Sequence, residues 1–162
     1  QSISPVDADY DGALLRAAQD EHSSTVSMRA QMAVLPFRDS IDAVSGEQLH
    51  DAHSIWPRLA TINQSGIAIY HMTGWFDSYG HHQIKLFNSL KIPQKLHVGP
   101  YYHPDNFGFD HLGEVVRWFD YWLKGIENGI MDEPAVTLFI TGYSGEDGWQ
   151  HFRKWPEQDD VQ

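Results

Sequence analysis

Apolar residues recur along this chain with three different rhythms. Between Asp11 and Met32, Leu14, Leu15 and Ala18, then Met28 and Met32, fall at helical spacing on either side of a polar break at Ser23 and Ser24, which predicts two short helices. Residues 36–57 are rich in Asp, Ser and His and predict loops and short helices, with a helix start at Ser45 ahead of Glu47 and Gln48. The character changes at Gly66. Gly66-Ile67-Ala68-Ile69-Tyr70-His71-Met72 is a nearly continuous apolar run, the pattern of a strand buried on both faces. From His81 to Leu90, Ile84, Phe87 and Leu90 share one side of a predicted helix, which Lys91-Ile92-Pro93 breaks. Gln94 to Val98 is a second short strand, ended by Gly99-Pro100.

Strand, helix, strand is a βαβ unit, and its right-handed crossover makes a parallel sheet, so the predicted class is α/β. A long helix follows from His111 to Asn128, with Leu112, Val115, Val116, Phe119, Trp122, Leu123 and Ile126 at steps of three and four, stopped by Gly129. Beyond Pro134, Ala135 to Thr141 alternates and is rich in β-branched residues. Asp132-Glu133-Pro134 reads as a linker, so a separate β domain is expected to open near residue 131. There is no internal repeat and no low-complexity tract.

Composition narrows what such a protein can do. Twenty-two acids against 11 basic residues give a formal net charge of −11, which excludes nucleic acid as a partner, because phosphate backbones are held by clustered Lys and Arg. The absence of cysteine excludes disulfides, thiolate zinc sites and cysteine nucleophiles. A chain of 162 residues with 41% apolar and 13% aromatic residues can bury a core. No apolar run approaches the roughly 20 residues that span a bilayer, and Gln1 to Gly12 lacks a leader pattern. The expectation is a soluble protein with no membrane partner, cytoplasmic by preference. The first residue is Gln1 and not Met, in what reads as folded sequence, so a piece of a longer protein is expected.

Reactive groups of open parallel sheets gather at the carboxyl ends of the strands. The loop after the first strand carries Gly74-Trp75-Phe76-Asp77, and the loop after the second carries Gly99-Pro100-Tyr101-Tyr102-His103. A carboxylate and an imidazole thus leave adjacent strand ends, in the acid-before-histidine order of an α/β-hydrolase triad. A serine hydroxyl needs a base to attack at neutral pH, and imidazole titrates in the right range. His103 is the candidate base, and Asp77 the candidate acid that fixes its tautomer. The ordinary alternative is a turn-capping Asp and an exposed loop His. No Gly-x-Ser-x-Gly occurs; Gly142-Tyr143-Ser144-Gly145 lacks the spacing, so Ser144 is set aside as a nucleophile. His81, His82, His97 and His111 raise the question of a metal, but adjacent histidines on a helix point about 100° apart and the i, i+4 pair of zinc hydrolases is missing. No metal and no cofactor are expected. Trp118, Phe119, Tyr121 and Trp122 read as helix packing, whereas Trp75, Phe76, Tyr101 and Tyr102 divide between lining a pocket and packing under the loops.

The runs GWFD, GPYYH, RWFDYWLKG and PAVTLFITG, with Trp149 and Trp155-Pro156 after them, resemble the X-prolyl dipeptidyl-peptidase and cocaine-esterase-like hydrolases. The resemblance extends upstream through DADYDGALLRAAQDEH and PFRDS, and so covers nearly the whole chain. It implies a partial α/β-hydrolase fold: a helical cap segment over residues 1–60, the C-terminal part of the hydrolase core over 61–130, and the first strands of a jelly-roll β domain over 131–162. It also implies Asp77 and His103 as triad acid and base, and a peptide, ester or amide substrate. The nucleophile and the oxyanion hole would lie in a missing N-terminal half, leaving this chain inactive alone. Relatives that act on α-amino esters carry further acids after the triad Asp, where this chain has Ser78-Tyr79-Gly80. Two functions are therefore expected to compete: a hydrolase fragment that needs its other half, and a non-catalytic interaction module derived from one. Too few strands to cover the long helix imply pairing with the missing half, self-association, or exposed apolar patches.

Overall fold

Leu96 and Val98 on one strand stand beside Val136 and Leu138 on the next, all four buried, and helix residue Phe87 closes over them. This cluster is the heart of the larger of two compact units, residues 58–162, the other being residues 1–57. The structure is a computed structural model that describes residues 6–103, 109–143 and 145–157.

In the first unit α1 (Ala13–Ser23) and α2 (Met28–Ala33) are the two short helices expected. The buried carboxylate of Asp9 accepts the amides of Leu14 and Leu15, both at 2.9 Å, satisfying donors that the first turn of α1 leaves free. Ser45 does not start a helix. Its amide and its hydroxyl both donate to Asp42 (2.7 and 2.8 Å), a local turn that competes with helix formation, and α3 begins only at Leu49 (Leu49–Ala52). The Ser45 amide in turn holds the Asp42 carboxyl below its usual range.

The second unit runs α4 (Leu59–Gln64), β1 (Ile69–Gly74), α5 (Gly80–Ser89), β2 (Gln94–Gly99), α6 (His111–Lys124), β3 (Val136–Phe139) and β4 (Trp149–Phe152). The sheet order follows the chain order. β1 and β2 pair in parallel from Ile69 opposite Gln94 to Gly74 opposite Gly99, so the βαβ unit and the α/β class are as the sequence indicates. β3 continues the sheet past Pro134. It also pairs in parallel with β2, Leu96 opposite Val136, so Pro134 interrupts the chain but not the sheet; the architecture changes one strand later, where β4 runs antiparallel to β3. α6 stops at Gly125 and not at Gly129, because Gly125 takes the left-handed conformation (φ 67°) and the amides of Gly125 and Ile126 turn back to Tyr121 and Asp120.

The two faces of the sheet differ in chemistry. The face under α5 is apolar, apart from His71, Thr73 and Gln94, whose side-chain amide reaches His71 and the Phe87 carbonyl of α5. The opposite face carries Tyr70, Lys95 and His97, and Lys95 is buried with its ammonium donating to the Ile130 carbonyl (3.0 Å) and to Glu133. Arg117 bridges Glu133 to Glu114, which accepts the Tyr70 hydroxyl, so every charge in this layer has a partner. Within α6 Trp118 alone is buried, whereas Leu112 (80% exposed), Phe119 (50%) and Leu123 (75%) face outward. Among the described residues no helix is long and apolar enough to cross a membrane.

Candidate active site

The parallel ladder between β1 and β2 does not end with the strands. Trp75 N–H donates to the Gly99 carbonyl at 2.9 Å, and Phe76 N–H to the Tyr101 carbonyl at 3.1 Å, so the two following loops are joined bond by bond. Asp77 and His103 leave from this joined segment. Their approach depends on Gly74, where a Cβ would lie 2.1 Å from the Tyr101 carbonyl oxygen.

Asp77 divides its carboxylate between two duties. Oδ1 accepts the Tyr79 amide at 3.0 Å, the turn-capping role that such a residue has by default, while Oδ2 lies 3.2 Å from Nδ1 of His103. The Asp77 side chain is largely shielded (11% exposed) and that of His103 is open (71%). The pair thus has one protected and one accessible member, with Nε2 of His103 uncommitted to Asp77. A cleft of about 150 Å³ adjoins it, lined by Met72, Thr73, Gly74, Asp77, Tyr101, Tyr102, His103 and His111.

The four aromatics flanking the acid and base separate by environment. Phe76 and Tyr102 are exposed and stack on each other at 5.1 Å. Trp75 packs against the core, and Tyr101 is buried with its hydroxyl bonded to Nε2 of His97. His97 and Tyr101 were not singled out as a pair by the sequence. The available signal was a histidine inside the apolar run Leu96-His97-Val98, four residues before an aromatic that follows Gly-Pro.

His81 and His82 lie ring against ring on α5, and His97 meets His111 edge to face at 6.3 Å. Among the described residues no group of three or more His, Asp or Glu is placed to hold a metal ion. Ser144 lies outside the described residues.

Over 95% of its length the chain is similar to a protein of Mycobacterium bovis described as "Putative serine esterase", with 29% identity across 187 aligned positions. A Mycobacterium tuberculosis protein of the same description matches to the same extent. A shorter stretch of 41 residues, 25% of this chain and 6% of the relative, is 49% identical to a Bacillus cereus protein described as "Putative Xaa-Pro dipeptidyl-peptidase". The chain spans 29% of the length of the mycobacterial relatives. No family model matches it.

Proposed function

We propose that this chain supplies the acid and the base of a serine hydrolase that cleaves an ester, amide or peptide bond, with Asp77 and His103 in those roles. The observation that carries the reading is the 3.2 Å approach of His103 Nδ1 to Asp77 Oδ2 at the ends of adjacent parallel strands. The descriptions of the mycobacterial and Bacillus relatives support the same reaction class.

In this reading Asp77 accepts from Nδ1–H, so the lone pair of His103 resides on Nε2. Nε2 takes the proton of a serine hydroxyl as its oxygen bonds to the acyl carbon, and returns it to the departing alcohol or amine; water then repeats the cycle on the acyl-enzyme. Asp77 stabilises the imidazolium without becoming protonated. The serine, and the backbone donor that follows it in an oxyanion hole, come from residues outside this sequence, since no Gly-x-Ser-x-Gly occurs within it.

The same outside residues are proposed to complete the sheet and cover α6. Three observations support this: the outer edge of β1 has no strand partner among the described residues, the apolar stripe of α6 faces outward, and His103 is open. A hydrogen bond to a carboxylate is worth less where water reaches it and gains strength when covered. Residues 131–162 are proposed to lead into a further β domain, which the antiparallel turn from β3 to β4 supports.

Labelling of the full-length protein by a fluorophosphonate probe, with and without His103→Ala, tests the reading. Labelling that disappears in the variant is expected. No labelling of the unaltered full-length protein would leave the interaction module as the better account. Proline-containing dipeptide amides and short acyl esters, assayed side by side, separate peptide from ester substrates.

A further inference from the structure

We propose that His97 and Tyr101 form a latch that positions His103 against Asp77, an inference that rests on the catalytic reading of that pair. Tyr101 stands two residues before the base, yet its side chain is 2% exposed and turns back along β2 to place its hydroxyl on Nε2 of His97. Room for that reversal comes from Gly99, where a Cβ would lie 1.9 Å from the tyrosine ring. The backbone of Tyr101 completes the connection, because its carbonyl accepts from Phe76, the residue immediately before the acid. One residue therefore holds both loops, by its side chain on one side and its carbonyl on the other.

The other half of the latch is itself immobilised. The His97 imidazole stacks on Phe109 with centroids 3.7 Å apart and planes 18° apart, and Trp149 of β4 lies 4.9 Å away. Burial, and then the nearby His111, His151 and Lys95, lower the His97 pKa to about 3, so the ring stays neutral wherever a hydrolase would work. Burial also raises the Tyr101 hydroxyl well above its ordinary value. Two neutral partners exchange one proton-mediated contact that ordinary pH changes do not break. The Tyr101 hydroxyl is spent on His97 and not on Asp77 or His103, so the two act as positioning residues. Tyr102 shows the contrast: one position later, it is exposed and stacks on Phe76.

The test uses the full chain labelled with ¹⁵N-histidine. Long-range nitrogen–proton correlation reads the His103 tautomer, and amide hydrogen exchange reads Phe76 separately. In the unaltered protein His103 is expected as the Nδ1–H form, which Asp77 selects. Tyr101→Phe removes only the hydroxyl, and His97→Phe keeps the stack on Phe109 while removing the nitrogen. Both should move most of His103 to the Nε2–H form and speed Phe76 exchange by about tenfold or more, leaving Leu96 in the ladder protected. His97→Gln, which can still bond the tyrosine hydroxyl, should restore the original tautomer, a rescue that loss of packing alone does not predict. Retention of the Nδ1–H form in both phenylalanine variants would overturn the latch, as would exchange rising equally at Leu96 and Phe76. An unaltered protein already in the Nε2–H form would overturn the catalytic pair itself; Phe76 exchange would then still decide the latch.

Discussion

Trp75, the first residue beyond β1, donates its indole N–H to the carbonyl of Phe139 at the end of β3, 2.5 Å away. The bond passes across β2, so the loop that carries Asp77 is tied to a strand two places along the sheet. Trp75→Phe keeps an aromatic ring against the core but leaves that carbonyl without its donor. A loss of about 1–2 kcal/mol is expected in urea unfolding, the usual range for a part-buried bond broken on one side. An unchanged midpoint would show that the bond does not hold the loop.

Gly99 and Tyr101 compete for the same space, and a double-mutant cycle can measure it. Gly99→Ala forces its methyl into the Tyr101 ring, where a 1.9 Å separation cannot be relieved by a small shift. Overpacking of this kind costs about 1–3 kcal/mol. In a Tyr101→Ala background the same substitution should cost less by at least about 1 kcal/mol. Additive effects in chemical denaturation would mean that the ring is not where the structure places it.

Acid should weaken the fold before the carboxylates titrate. Burial lowers the pKa of both His71 and His97, the latter to about 3, whereas both titrate near 6.5 in an unfolded chain. Below pH 6.5 the unfolded state binds protons that the folded state refuses, so stability is complete above that value and falls toward pH 3. For His97 the slope approaches about 1.4 kcal/mol per pH unit, and His71 adds to it in the same direction. Asp42, whose carboxyl the Ser45 amide holds low, adds a second loss at lower pH still. Urea unfolding at pH 7.5 and 5.5 reads the first slope, and His97→Phe should remove its share. A variant with the full slope would contradict the assignment.

The outward stripe of α6 predicts opposite effects on its two sides. Phe119→Lys and Leu123→Lys should reduce binding of an apolar fluorescent dye while changing stability by less than about 0.5 kcal/mol, because both side chains already face water. Trp118→Ala, which removes the buried contact with Tyr70, should cost about 3–5 kcal/mol. Equal losses on both sides would mean that the helix is packed the other way round.

The sequence made much of this legible, for reasons that individual residues explain. Ile84 and Phe87 carry a helical period and Gly66 to Met72 a nearly continuous apolar run, so α5 and β1 could be read locally, and Gly99-Pro100 marks the end of β2. The adjacency of Asp77 and His103 followed from strand order alone, since parallel neighbours bring their following loops together. The partner of β3 could not be read the same way. Alternation gives a strand but not its neighbour, and the Leu96 amide bonding to Ala135 is a long-range choice made by packing. β4 escaped notice because Gln150 and His151 at its centre are polar and four residues are too few to show a period. Tyr101 and Tyr102 are identical in sequence and opposite in burial, a difference set by Gly99 beside them.

Gly74 and Gly99 sit opposite each other at the last rung of the ladder, and each leaves open the volume that one part of Tyr101 fills. For anyone transplanting this acid and base into another parallel sheet, two side chains would be too small a graft. The portable unit is a cassette of two strand ends, with glycine at both final rungs, a tyrosine folded backward, and a histidine waiting beneath it.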